Sequence, residues 1–401
     1  MLERPFLLDV TRLISRSWTR RSSTGIDRVC HAYLEHFGPR SHAVVQHRGV
    51  FRILSGLQSD VLGEMLVGSD AQFRRGMMRF APQAIAAGAA QVDADGAIYI
   101  NVSHTDFDLP SHVRWTRECR MRPAYLLHDL IPITHSEFCK AHAVARHTGR
   151  VTNALQTAAG IIVNSRATAA DLHAFARREK LPVPSVLAAP LAGASLSAGD
   201  ASSKPPGEPY FVCVGTIEAR KNHIMLLELW WRLARRLGRK APRLVIIGQW
   251  GVNSDPVREM LAGCAELRDH VSLITECRDE ELGGWIAGAQ ALLMPTLAEG
   301  FGLPMAEALQ LGTPVVASDL PCFREIGQGI PALLDPTDLA AWQRAIRSLG
   351  KGGAERIRQR ALMPAYRPST WRDHFTGVES WLDGLLSPQE HHLAETHRRR
   401  A

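Results

Sequence analysis

TLAEGFGLPMAEALQLGTPVV, residues 296–316, is the stretch that decides the fold. An apolar run precedes it (ALLMP, 291–295), and a second β-type run (PVVAS, 314–318) closes it. A glycine-rich turn and a helical segment lie between them, so the unit reads strand, turn, helix, strand. Pro304 suits the first helical position, where its missing N–H costs nothing. The free amides of Phe301, Gly302 and Leu303, beside Gly300, are therefore expected at a helix N-terminus. Backbone donors and the helix dipole there favour an anion such as a diphosphate. Glu299 lies just before the helix and Glu307 one turn into it. Both carboxylates are expected to stand clear of the phosphates, free to accept hydrogen bonds from hydroxyls. A ligand with sugar hydroxyls on both sides of a diphosphate is a nucleotide-sugar.

An equivalent unit starts the same half of the chain: YFVCVGTIEARKNHIMLLELWWRL, 210–233. Tyr210–Val214 reads as a buried strand, Gly215–Asn222 as the turn, and the helix starts near His223. Arg220 and Lys221 then stand before a helix N-terminus, at the carboxyl end of a strand. Two cations there would neutralise a departing pyrophosphate, a contribution of roughly 3 kcal/mol for a key group. RLVIIGQWG (243–251) brings Gly248 and Gly251 to the next strand end, and VSLITECRDEELGGWIAGA (271–289) reads as a strand with a helix from Asp279. The first half has the same alternation. FLLDV (6–10) is a strand, followed by a basic loop, TRLISRSWTRRSSTGIDRV (11–29), in which Gly25 opens a helix. Arg16, Arg20 and Arg21 read as solvated or as contacts for an anionic acceptor. AYLLHDLIPI (124–133) reads as a strand delivering His128 and Asp129 to its carboxyl end, where α/β sheets place ligands. In AAGIIVNSRATAADLHAF (158–175), Ser165 caps a helix and Asn164 is a candidate cleft residue.

The Glu299–x7–Glu307 spacing around GFGLP resembles the retaining nucleotide-sugar glycosyltransferases of the GT-B fold, family 4. GTIEARKNH, HDLIP and the DVT…TGIDRV opening are similar to phrases of that family, the last to a subgroup of bacterial polysaccharide enzymes. The resemblance is good over 124–345, moderate over 6–40, and does not extend to 45–95 or the tail. It implies that Glu299 and His128 hold the transferred sugar, Glu307 the ribose, and Arg220 and Lys221 the diphosphate. Gly25 with Arg28, Gly215, Gly248 and the backbone near Glu276 and Cys277 would complete the donor site. Thr216 stands where many members have Arg, which leaves more of the diphosphate charge to Arg220. The resemblance further implies metal-independent transfer, retention by front-face attack, no cofactor, and a saccharide or lipid-linked glycan acceptor. GDP-mannose is the expected donor. A nucleotide-sugar epimerase or hydrolase of the same fold, and a catalytically idle nucleotide-sugar-binding scaffold, are the alternatives. A phosphorylase-like enzyme would need a lysine set for pyridoxal phosphate, and no such signature is evident.

With 401 residues the chain has room for two domains. The small, polar, Pro/Gly-rich stretch 192–209 reads as a linker. The expected organisation is α/β: an acceptor-binding Rossmann-like domain (1–191), the linker, and a nucleotide-sugar-binding Rossmann-like domain (210–365) across a central cleft. A helix (366–386) crosses back to the first domain, and a disordered basic tail (387–401) follows. Net charge is +7 with pI near 9.2, which favours anionic partners. No nucleic-acid motif is present. Seven scattered cysteines lack C-x-x-C spacing and point to a reducing compartment. Without a signal-like or membrane-spanning run, the expected location is cytoplasmic, with peripheral contact to the anionic inner face of the inner membrane as an option. Trp230–Trp231, followed by Arg232, Arg235, Arg236, Arg239 and Lys240, reads as an amphipathic helix with one partly exposed indole; membrane insertion there is the alternative.

Overall fold

A computed structural model describes residues 4–19, 24–86, 92–194, 196–197, 209–350 and 352–386. Most of the expected linker and all of the expected tail lie outside the described residues. Among the described residues, thirteen strands form two sheets. The first comprises β1 (Phe6–Asp9), β2 (Ser41–His47), β3 (Val50–Ile53), β4 (Ile98–Asn101), β5 (Arg122–Leu127), β6 (Gly160–Val163) and β7 (Ser185–Ala188). The second comprises β8 (Tyr210–Val214), β9 (Arg243–Ile247), β10 (Val271–Ile274), β11 (Leu292–Met294), β12 (Val315–Ser318) and β13 (Ala332–Leu334). Their orders are β3-β2-β1-β4-β5-β6-β7 and β10-β9-β8-β11-β12-β13. Every pairing is parallel except the β2–β3 hairpin, where Val44 stands opposite Ile53. Both orders reverse direction beside their first strand. Such a switch point opens a crevice at the carboxyl ends, the place where this architecture receives nucleotides.

Strands covered on both faces must be apolar throughout, and β8 meets that need. Phe211 and Cys213 pack on one face with Trp230 and Leu244, while Tyr210 and Val212 pack on the other with Leu292 and Val315. Trp230 is fully buried, and its indole N–H donates to the Pro242 carbonyl at 2.8 Å. It therefore belongs to the core, and only half-buried Trp231 reaches the surface, beneath the Arg235 guanidinium. Replacing Trp230 by Ala would cost about 3–5 kcal/mol.

The last helix, Trp371–Leu386, lies on the first domain, as the family resemblance implied. Phe375 packs among Tyr33, His36 and Phe37, and the Trp381 indole N–H donates to Ser185 Oγ at 2.9 Å. No described helix is long and apolar enough to cross a membrane.

Several local expectations are corrected. The segment after β1 is not loop throughout, because Thr11–Thr19 forms a helix on which Leu13 and Ile14 pack inward. Strand β5 stops at Leu127, and Ile131–Thr134 is a short helix with Pro132 in its first turn. The stretch 334–349 reads as one helix capped by Asp335 or Thr337, but the helix starts at Leu339 and is capped by Asp338, whose carboxylate accepts from Ala341 N–H at 2.9 Å, while Asp335 closes a turn onto Thr337.

Candidate functional site

The 291–318 unit folds as strand, turn, helix, strand. Gly302 takes φ +110°, a left-handed region that favours glycine, and a Cβ there would stand 2.5 Å from the Phe323 ring. The helix runs Leu303–Gln310, so Pro304 is its second residue rather than its first. Across the switch point, the β8 turn is tied to this loop. Leu297 N–H donates to the Arg220 carbonyl at 2.8 Å, and Arg220 Nη1 donates to the Ala298 carbonyl at 2.7 Å.

Between the sheets lies a cleft of about 520 Å³. It gathers Gly215, Arg220, Lys221, Gly248, Cys277, Glu299, Gly300, Phe301, Gly302, Leu303 and Glu307 from the second domain, and Gly25 and His128 from the first. Glu276 is exposed and lies outside the cleft lining.

Neither carboxylate is free in the way expected. Glu299 Oε2 accepts from Lys221 Nζ at 2.5 Å and from Arg220 Nη1 at 3.3 Å. Burial pushes its carboxyl up, but the two cations outweigh burial and hold it below the usual range. Glu307 Oε1 accepts from Arg28 Nη1 at 2.9 Å and from Ala194 N–H at 3.2 Å. Its burial is nearly complete and only one cation offsets it, so its carboxyl is raised. Arg28 also pairs with Asp279 and so bridges the two domains.

Arg220, expected to take up much of the diphosphate charge, already has several partners in the protein. Its guanidinium is committed to the Ala298 carbonyl, to Glu218 at 2.6 Å and to Glu299. It braces the turn. Lys221, whose ammonium has Glu299 as its one hydrogen-bond partner among the described residues, is a compact point charge with donors to spare.

His128 is buried at the end of β5. Its Nε2 stands 2.8 Å from the Val102 carbonyl, so Nε2–H must donate there. Burial lowers its pKa to about 4, leaving the ring neutral with its acceptor lone pair on Nδ1. Asp129 does not bond to it, accepting instead from Ile131 N–H at 3.0 Å. Cys277 is an inert thiol, pushed up to about 11 by burial.

The glycines permit close backbone packing, much of it between the domains. A Cβ on Gly300 would lie 2.3 Å from the His128 carbonyl oxygen, and one on Gly25 would lie 3.0 Å from Leu303. The Gly300 carbonyl accepts from Ser165 Oγ at 2.8 Å, and Asn164 Nδ2 donates to the His128 carbonyl at 2.7 Å. Gly248 was expected to admit the nucleotide. Its missing Cβ first makes room for the Gly215 carbonyl, which would otherwise sit 1.9 Å away.

Sequence reading missed Arg12. It lines the cleft, with Nε donating to Asp27 at 2.6 Å and Nη2 to Thr24 at 3.3 Å. Its position just past the end of β1 was the available signal. Arg16 is not simply solvated, because it too pairs with Asp27, at 2.7 Å. Arg20 and Arg21 lie outside the described residues.

Residues 199–361 match the family model described as Glycosyl transferases group 1. Over 120 residues the chain is 38% identical to the serotype-specific mannosyltransferase WbdA of Escherichia coli, which is 30% of this chain and 14% of that one. Over 155 residues it is 29% identical to the O-antigen chain mannosyltransferase RfbU of Salmonella typhimurium, covering 39% and 42% of the two chains. The chain thus spans less than half the length of these relatives. Its fold is similar to that of sucrose-phosphate synthase from Thermosynechococcus elongatus, with a TM-score of 0.65 at 16% identity over 95% and 98% of the two chains.

Proposed function

We propose, from the premise that this is a GT-B chain whose second half carries a glycosyl transferases group 1 domain, that it transfers mannose from GDP-mannose to a saccharide or lipid-linked glycan with retention of configuration. The mannosyl choice draws on the similarity to WbdA and RfbU, whose names state that activity for those proteins. One observation carries the reading. Lys221, Glu299 and the amides at the Leu303–Gln310 helix N-terminus share a cleft with neutral His128 from the opposite domain.

In this reading the diphosphate lies on the amides of Phe301, Gly302 and Leu303, with Lys221 taking up charge as the sugar–phosphate bond breaks. The acceptor oxygen forms the new bond to the anomeric carbon, and its proton passes to the leaving phosphate oxygen. Lys221 and the amides supply the cationic surroundings that a bound metal would otherwise provide. Glu299 holds a sugar hydroxyl through its second oxygen, and His128 accepts another at Nδ1. Glu307 receives the ribose.

The test is a thermal-shift panel of GDP-, UDP-, ADP- and dTDP-sugars. GDP-mannose at 100 times its dissociation constant should stabilise the protein by about 2.7 kcal/mol. No shift with any member would sink the donor-site reading. Release of free sugar or its epimer without acceptor would favour a hydrolase or epimerase instead.

A further inference from the structure

The first domain carries a surface that the cleft does not use. Helix Asp70–Ala86 packs against helices Thr11–Thr19 and Gly56–Val67 through buried Phe73 and half-buried Met77 and Phe80. Its opposite side is a stripe at three- and four-residue spacing: Ala71, Arg75, Met78, Arg79, Pro82 and Ile85. Met78 is 62% exposed and Ile85 is 68% exposed. Ala71 to Ala86 contains three arginines (Arg74, Arg75, Arg79) and no acidic residue. None of the three has an ion-pair partner among the described residues. Trp18, half exposed, stands near the end of the neighbouring Thr11–Thr19 helix. Large apolar tips set among unpaired arginines on a packed helix are the chemistry of a bilayer interface, with apolar groups at the acyl boundary and cations at the headgroups.

We propose that this face of helix Asp70–Ala86 docks on an anionic lipid bilayer. A second copy of the chain fits less well, because a twofold contact would set the same unpaired arginines against each other. The adjoining Gly56–Val67 helix also exposes Leu57, Val61 and Val67, but Glu64 shares that surface, which places it at the rim. Helix Thr11–Thr19 links the two regions, because it carries Arg12 on the cleft and packs against the docking helix. Docking here would bring the cleft towards membrane-borne acceptors. The surface stands independently of the donor reading, so failure of one leaves the other intact.

Flotation of the full chain with vesicles tests it. Vesicles of phosphatidylglycerol in phosphatidylcholine should carry the protein at low salt and release it at high salt, while pure phosphatidylcholine should not. Arg75→Glu with Arg79→Glu, and separately Met78→Asp with Ile85→Asp, should each weaken binding at least about tenfold, an arginine at such a surface being worth about fivefold. Ile357→Asp, at an exposed site on the second domain, should leave it unchanged. Melting curves establish that the variants fold, and their exposed sites make that the expected result. The proposal is overturned if the anionic vesicles are not bound, if neutral vesicles bind equally, or if either double variant binds like the parent. Self-association abolished by Met78→Asp with Ile85→Asp would also overturn it, assigning the face to a second copy.

Discussion

Glu299 and Glu307 sit eight residues apart on one turn and helix, the first half-buried and the second buried, and they differ in what holds them. Glu299 is gripped by Lys221 and Arg220 of its own domain, Glu307 by Arg28 of the other. Two nearby cations lower one carboxyl, and a single cation fails to stop burial from raising the other. The same residue type thus becomes a fixed charge on one side of the proposed diphosphate site and a titratable, domain-bridging charge on the other. The first suits a role in the transition state, where charge must stay constant. Under the proposed function, the second would make donor binding depend on how the domains sit together.

The largest test of this contrast removes one of the two cations that serve Glu299. Lys221→Ala should lower kcat roughly 100- to 1,000-fold, the usual scale for one preorganised electrostatic group, with a smaller change in KM. An unchanged turnover number would remove Lys221 and Glu299 from the chemistry. Gly300→Ala comes next. Its Cβ would meet the His128 carbonyl, so the domains must separate at a cost of about 1–3 kcal/mol, and kcat/KM should fall about tenfold or more without loss of either domain's fold. Wild-type kinetics for this variant would mean that the 2.3 Å approach is not part of the working state.

Arg28→Ala should act more gently, raising the donor KM about tenfold with kcat nearly intact, because uniform binding is lost rather than transition-state stabilisation. Arg28→Lys should recover part of it. A kcat defect equal to that of Lys221→Ala would erase the distinction between the carboxylates. The smallest effect is in pH. As pH falls through the acidic range, the raised Glu307 protonates first, so the donor KM should rise a few-fold while kcat holds, Glu299 being lowered. Coincident titration of the two parameters would contradict the assignment.

A melting curve must accompany that profile. Burial lowers His112, His128, His223 and His374 to about 4 each. The unfolded chain binds more protons there, so their contribution to stability is present above pH 6.5 and is lost as pH falls towards 4. Buried Asp9, raised to about 6, acts in the opposite direction over that window, as do Glu307 and Asp171, also raised by burial.

Much of this was legible in the linear chain. Runs such as Tyr210–Val214 and Leu292–Met294 are apolar because both their faces are covered, and the glycine-rich turns follow them because a nucleotide-binding crevice needs close backbone approach. Most residues proposed for the donor site therefore came from turns at strand ends, which the fold brings together, while Gly25, Arg28 and Glu307 come from helices. Arg12 was passed over because its neighbours read as loop, and the helix Thr11–Thr19 is held mainly by partners far along the chain. Trp230 and Trp231 read alike as letters; packing against Phe211 took one into the core and left the other near the surface.

Local spacing determined the fold class, the two repeated strand–turn–helix units and the residues that meet at the cleft, because periodicity and turn chemistry are properties of near neighbours. Only the tertiary structure decided which charge each carboxylate feels. Arg28 lies 279 positions from Glu307, and the Gly300 site is closed by His128 and Ser165 of the other domain. Coulombic and desolvation energies depend on separation in space and on burial, and neither is written in the order of the residues.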